Sequence, residues 1–232
     1  ASARVHDAFR GEEGSFHRAI EGARHLQREL QAFQINTSVT KQNMNSLSAV
    51  IDLAEDLGAE AVHLFFLVPV GCGAEIPEDE RISSKEYEEL LEWFADELER
   101  RRIELRATCA PHFQRVLIQR AKARAPGKGC LAGEGIVFVG SKGDVQACGY
   151  MPITVGNVRR EDLGRIWREN DLLSRLRSPS TLAGACGSCS FRKVCGGCRA
   201  RALAVYGDVF AEEPMCQWGK EIDNGGKGSR AQ

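Results

Sequence analysis

Four cysteines within thirteen residues, Cys186, Cys189, Cys195 and Cys198, stand at the spacing C-x2-C-x5-C-x2-C. A C-x2-C element turns tightly enough for neighbouring thiolates to converge on one metal centre. Gly187, Gly196 and Gly197 suit backbone amides packed closely against sulfur, where an N–H can donate a hydrogen bond and tune a cluster. From Ala183 to Cys216 the chain is rich in Gly and Cys and poor in apolar residues, so the folding energy there is expected to come from metal. Spacing alone leaves two chemistries open, a zinc ribbon and an iron-sulfur cluster.

The chain has 232 residues and nine cysteines, an odd number, and residues 1–20 lack the basic-then-apolar order of a secretory signal. A disulfide framework is therefore the weaker reading, and a cytoplasmic location with reduced thiols is expected. Only Cys72 and Cys109 precede residue 130, while Cys130, Cys148 and Cys216 join the four-cysteine run after it. That asymmetry marks two parts. A formal net charge of -1, with both signs interspersed, predicts no nucleic-acid partner, and the lack of a long apolar run predicts no membrane span.

The first part alternates helix and strand. Phe16, Ile20, Ala23, Leu26 and Leu30 recur at helical spacing behind a capping Ser15, and Phe33, Ile35, Thr37 and Val39 alternate as a strand. A second helical stripe from Leu47 to Leu57 stops at Gly58, before an apolar strand from Ala61 to Val70. A third begins at a Ser83/Glu86 capping box, carries Tyr87, Leu90, Leu91, Phe94 and Leu98, and leads to a strand at Ile103, Leu105 and Ala107. Such a parallel series places its chemistry at the C-terminal strand ends, near Thr40 and Asn43, Val70 to Gly73, and Cys109. Three strands cannot close a barrel. Beyond Pro126, Ile136–Val139 and Val145–Cys148 read as a hairpin, Leu163–Leu176 as one helix behind Asp162, and Asn224–Gln232 as a disordered tail.

The full cysteine order, with Cys130, twelve residues, Gly143, four residues, Cys148, the four-cysteine run and Cys216, resembles the SPASM domain of radical S-adenosylmethionine (SAM) enzymes. One departure is that only Gly196 and Gly197 separate the last pair, where the general pattern has three residues. The resemblance implies that Cys186, Cys189, Cys195 and Cys216 hold one 4Fe-4S cluster and that Cys130, Cys148 and Cys198 supply three ligands to another, with Cys109 available as a fourth. It also resolves the choice of metal toward iron-sulfur, with one or two auxiliary clusters.

Upstream, the run from His6 to Gly11 with Gly14, Ser15 and Phe16 is similar to the segment after the fourth barrel strand of the same family. That implies that Arg10 contacts the carboxylate of S-adenosylmethionine and that Asn36, on the following strand, lies near the cofactor. Without the resemblance, Arg10 reads as a solvated loop charge and Asn36 as a buried strand-end amide. The segments Leu64–Gly71, Thr108–His112 and Cys195–Ala202 are similar to the haem-biosynthesis branch, which remodels tetrapyrrole side chains through a 5′-deoxyadenosyl radical. In that branch His112 is expected to act as a proton donor or iron ligand, and Arg199 and Arg201 to pair with propionates. The bland readings are an exposed loop histidine and surface charges. Cys72 reads as an inert small residue.

The implied fold is α/β: residues 1–107 as the second half of a partial (β/α)6 TIM-like radical SAM barrel, 108–218 as a small α+β SPASM domain, and 219–232 as tail. No C-x3-C-x2-C motif occurs, so the cluster that cleaves S-adenosylmethionine is expected outside this chain. The chain then reads as an N-terminally truncated fragment, inactive alone. The intact enzyme would take a tetrapyrrole substrate and electrons from a ferredoxin or flavodoxin. A peptide or sulfatase maturase is the alternative within the family, and a zinc-stabilised binding module is the alternative outside it.

Overall fold

The computed structural model describes residues 2–121 and 127–219. The expected tail lies, but for Gly219, outside the described residues. The chain divides into two compact units: residues 1–67, 76–82 and 92–108 form the first, and residues 68–75, 83–91 and 109–232 the second.

In the first unit, α1 (Ala3–Arg10) and α2 (Ser15–Arg28) precede β1 (Gln34–Val39), α3 (Leu47–Asp56), β2 (Ala61–Phe66), α4 (Ser84–Arg100) and β3 (Glu104–Thr108). Only the C-terminal part of α4, from Glu92, groups with this unit. The strands pair in parallel in the order β1-β2-β3, with Gln34 opposite Ala61 and Ala61 opposite Glu104. Every other side chain of β1 faces the same way, so Gln34, Asn36 and Ser38 share the exposed face while Val39 is buried. β2 is the central strand and the most buried, as its Val, Leu and Phe content requires. Gly58, at φ +74°, ends α3 where a side chain would be strained. The Ser83/Glu86 box forms, the Glu86 amide donating to Ser83 Oγ at 3.2 Å and the Ser83 amide to Glu86 Oε2 at 2.6 Å.

Two local expectations change in this unit. Gly14, not Ser15, occupies the cap of α2, and the Ser15 hydroxyl instead donates to Asp7 at 2.9 Å. Asp7 also accepts the Gly14 and Phe16 amides at 2.8 and 2.7 Å, so a carboxylate from α1 serves the open N-terminus of α2. β2 stops at Phe66, short of Val70. Pro69 has no N–H for a ladder there.

The second unit holds α5 (His112–Gln119), the antiparallel sheet of β4 (Phe138–Val139), β5 (Asp144–Gln146) and β6 (Thr154–Asn157), then α6 (Leu163–Glu169), α7 (Asp171–Leu176), α8 (Gly184–Ser188) and α9 (Arg199–Tyr206). Gly143 turns the hairpin at φ +88°, where an added Cβ would sit 2.9 Å from Asn157 Oδ1. The single helix expected over Leu163–Leu176 is two, because the Asn170 side chain leaves the first and accepts the Leu173 amide to cap the second. Val145, Ala147, Met151, Ile166, Leu173, Ala200 and Phe210 form the core of this unit, with Cys198 among them.

Candidate metal centre and cofactor cavity

The seven expected cysteine ligands separate into two groups. Cys186, Cys189, Cys195 and Cys216 ring one cavity, which Cys130, Cys148 and Cys198 do not line. The latter three pack instead with the apolar core, together with Cys109. All nine cysteines are free thiols. Among the described residues no three His, Cys, Asp or Glu side chains converge at the spacing that one metal ion takes.

Each sulfur of the ring accepts at least one N–H. The Phe191 amide donates to Cys189 at 3.3 Å, Gly197 to Cys195 at 3.5 Å, Gly219 to Cys216 at 3.3 Å, and Arg199 Nη2 to Cys186 at 3.9 Å. In the other group the Tyr150 amide reaches Cys148 at 3.4 Å. N–H groups two or three residues beyond a cysteine are the local geometry that stabilises sulfur as thiolate. Burial works the other way: it pushes the Cys109 and Cys216 thiols up to about 11, and those of Cys195 and Cys198 higher still. A proton or a metal must therefore occupy these four sulfurs at neutral pH, and the buried polythiol set fits a thiophilic centre.

The three glycines serve different needs. Gly197 supplies the N–H to Cys195 and sits at φ +65°, with an added Cβ 2.4 Å from Arg199 Nη2. Gly196 needs only its left-handed backbone, φ +68°. Gly187 does not face sulfur as expected; a Cβ there would meet the Leu182 carbonyl at 2.4 Å. Gly129, which the sequence did not single out, passes so near the Cys195 carbonyl that a Cβ would lie 2.4 Å away. Its amide donates to the Val194 carbonyl at 2.7 Å, and this joins the Cys130 segment to the four-cysteine run.

Behind the cysteines lies a buried polar network. Arg201 and Glu213, each 3% exposed, pair at 3.0 Å. Glu213 also accepts the Cys198 amide at 2.5 Å, and Arg201 Nη2 donates to the Cys109 carbonyl at 2.9 Å. Burial raises the Glu213 pKa, but Arg201 and the donated hydrogen bonds outweigh it and hold the carboxyl below its ordinary value. Arg199 donates to the Val209 and Ala211 carbonyls at 2.9 and 2.6 Å. Neither arginine is a surface charge, and both are occupied inside the protein, so the expectation that they reach propionates is not supported. Cys109 holds a left-handed backbone, φ +58°, an uncommon state for a residue with a side chain.

His112 departs from the exposed loop histidine of the plain reading. It opens α5, is 0% exposed and lines the cysteine cavity. Its Nδ1 lies 2.9 Å from the Tyr87 hydroxyl, and burial lowers its pKa to about 4, so the ring is neutral. Cys72 is exposed in a short turn, Gly71–Ala74.

In the first unit Arg10 and Asn36 line a common cavity of about 350 Å³ with His6, Thr40 and Asn43. Asn36 is exposed on β1, where Gln34 Nε2 donates to it at 2.9 Å, which overturns the buried strand-end alternative. Asn43 does the strand-end work: its Oδ1 accepts the Thr40 amide at 2.9 Å and its Nδ2 donates to the Ser38 carbonyl at 2.8 Å. Arg10, exposed in the last turn of α1, is held near the cavity by the Asp7 corner.

Residues 130–199 match the SPASM family, an iron-sulfur cluster-binding domain. The chain is 43% identical over 228 residues to the AdoMet-dependent heme synthase of Methanosarcina barkeri, covering 93% of this chain and 64% of that protein. It is 29% identical to the pre-heme d1 synthase of Dinoroseobacter shibae, covering 91% of this chain and 58% of that protein. Streptococcus suis SuiB, solved bound to S-adenosylmethionine, shares the fold with a TM-score of 0.64 at 20% identity, over 89% of this chain and 49% of SuiB. The chain thus spans about six tenths of the length of the curated relatives it matches. The chain is thus similar, over more than nine tenths of its length, to AdoMet-dependent heme synthases, and its residues 130–199 match an iron-sulfur cluster-binding domain.

Proposed function

We propose that the intact protein is a radical SAM enzyme of haem biosynthesis that removes carboxylate-bearing side chains from an iron tetrapyrrole, and that this chain carries its auxiliary clusters. The observation that carries the proposal is the ring of four cysteines, each with its own N–H donor, in a chain 43% identical to a heme synthase. Cys186, Cys189, Cys195 and Cys216 would hold one 4Fe-4S cluster. Cys130, Cys148 and Cys198 would hold a second, with Cys109 packed beside them as its fourth thiolate. Four cysteines lining one cavity suit a polynuclear centre, each iron taking one thiolate.

In the first unit, Arg10 would pair with the carboxylate of S-adenosylmethionine and Asn36 would hydrogen-bond to the cofactor, within the cavity they share. When bound and reduced, that cofactor supplies the 5′-deoxyadenosyl radical. The chain's own residues orient it: Asp7 fixes the α1–α2 corner that carries Arg10, and Asn43 fixes the end of β1. Residues 1–107 act in this reading as the barrel part and 108–218 as the cluster domain. Electrons come from a ferredoxin or flavodoxin, in the cytoplasm. Among the described residues no helix is long and apolar enough to cross a membrane.

The test uses the full-length protein under anaerobic conditions with S-adenosylmethionine, reduced flavodoxin and iron coproporphyrin. Formation of 5′-deoxyadenosine with loss of carbon dioxide from the porphyrin supports the reading, and Arg10→Ala should raise the KM for S-adenosylmethionine. Turnover of a peptide with none of the porphyrin would overturn it.

A further inference from the structure

Three buried side-chain nitrogens among the described residues have no hydrogen-bond partner: His112 Nε2, Arg115 Nε and Trp218 Nε1. All three residues line the cavity ringed by Cys186, Cys189, Cys195 and Cys216. A buried donor without an acceptor costs about 1–3 kcal/mol, and native proteins hold few of them. Three such donors on residues that line one cavity point to acceptors that belong there.

Each donor is held by the rest of its own side chain. His112 and Arg115 lie one turn apart on α5 and so share a face. Arg115 Nη1 donates to Gln119 at 2.5 Å and Nη2 to both Glu88 oxygens at 2.5 and 2.6 Å, while Nε has no partner. Trp218 is braced edge-on by Phe191, with ring centroids 5.8 Å apart, and by Arg115, whose Cζ lies 5.8 Å from its centroid. For His112, a proton on Nδ1 would leave Nε2 a bare buried lone pair, and a proton on Nε2 makes it a donor. The Tyr87 hydroxyl at Nδ1 can donate and so supports the second tautomer.

The four thiolates already accept at least one N–H each. A bound cluster adds its inorganic sulfides as further acceptors at this cavity. We propose that the side-chain N–H groups of His112, Arg115 and Trp218 donate hydrogen bonds to the sulfides of the cluster in this ring and raise its reduction potential. Donors stabilise the reduced cluster more than the oxidised one, because reduction adds negative charge that spreads onto the sulfides. His112 then acts on the cofactor and not on the porphyrin. The inference rests on the cluster reading above.

The test is a potentiometric titration followed by electron paramagnetic resonance on the anaerobically reconstituted chain, tracking the signal that Cys186→Ala abolishes. Trp218→Phe keeps a ring against Phe191 and removes the N–H, and His112→Phe does the same on α5. Each should load iron fully yet favour the oxidised form about tenfold at a fixed potential, a fall of about 59 mV. His112→Gln, which restores an N–H, should recover part of the shift. Isotope-labelled tryptophan and histidine in the wild-type chain should show nitrogen hyperfine coupling to the reduced cluster. Unchanged midpoints in both Phe variants, or no such coupling where a variant fails to load, would overturn the proposal. A wild-type chain that takes up no iron would overturn the cluster reading and this inference together.

Discussion

Glu213→Gln is the sharpest probe of the polar network behind the cysteines. The substitution keeps the shape and removes the charge opposite Arg201, a partner 3.0 Å away with a side chain 3% exposed. It also sets an amide where Glu213 accepts the Cys198 N–H at 2.5 Å and the Met215 N–H at 3.2 Å. Breaking a buried pair by removing one partner costs about 3–5 kcal/mol, because the remaining charge stays buried. Arg201 keeps its bond to the Cys109 carbonyl and its place 5.6 Å from the Tyr87 ring centroid, which sets the expected loss at the lower end, about 3 kcal/mol. Hydrogen exchange of the Ala202 amide, which donates to Cys198 at 3.0 Å, reads that loss in the iron-loaded chain. At about 1.4 kcal/mol per decade, its protection should fall by a factor on the order of a hundred. The double variant Arg201→Met/Glu213→Leu should regain most of it, since no unpaired charge remains. A fall of less than about fivefold would place the pair among surface ion pairs worth no more than about 1 kcal/mol and refute the reasoning.

Other outcomes follow from the same geometry. The Phe16 amide, with further donors at Gly14, Ser15 and His6, outweighs desolvation and holds the Asp7 carboxyl at about 2. Its folded pKa lies below its unfolded value, so the contribution of Asp7 is complete above about pH 4 and is lost as pH falls through about 2; a carboxyl NMR titration with a midpoint near 4 would contradict this. Gly197→Ala adds a Cβ 2.4 Å from Arg199 Nη2 and 2.8 Å from Glu213 Cβ, whereas Gly196→Ala meets nothing nearer than 3.7 Å. Both pay roughly 1–2 kcal/mol for the left-handed backbone, but only the first should also lower iron occupancy. Cys109→Ser should weaken the second cluster alone, seen as loss of one of two iron-sulfur signals; loss of neither would remove Cys109 from the ligand set.

What could be read without coordinates was whatever is written locally. The Cys186/Cys189 pair, the glycine at position 143 and the helix-strand alternation through Ser83, Gly58 and Ile35 depend on neighbours in sequence, and each has its structural counterpart, whereas Cys195 and Cys198, at the same spacing, part to different groups. Tertiary burial was not legible. Nothing adjacent to His112 in sequence shows that Tyr87, 25 residues earlier, holds its ring. Arg199 and Arg201 sit in a helix with little apolar asymmetry, so their burial depends on Glu213 and on the carbonyls of Val209 and Ala211. The two-helix break at Asn170 was legible in principle, because Asn favours caps, yet the surrounding apolar spacing masked it. Trp218 and Gly219 follow Cys216 closely, and the sequence offered no sign that one buries an unpartnered indole N–H and the other gives its amide to a sulfur.

The central claim is that two cysteine groups hold two clusters, and iron and acid-labile sulfide counts after anaerobic reconstitution test it most directly, with Cys186→Ala and Cys198→Ala beside the wild type. The account predicts about eight irons per chain, falling to about four in each variant, with broad absorption near ~400 nm. Tight zinc without iron or sulfide, or iron content indifferent to both substitutions, would contradict it.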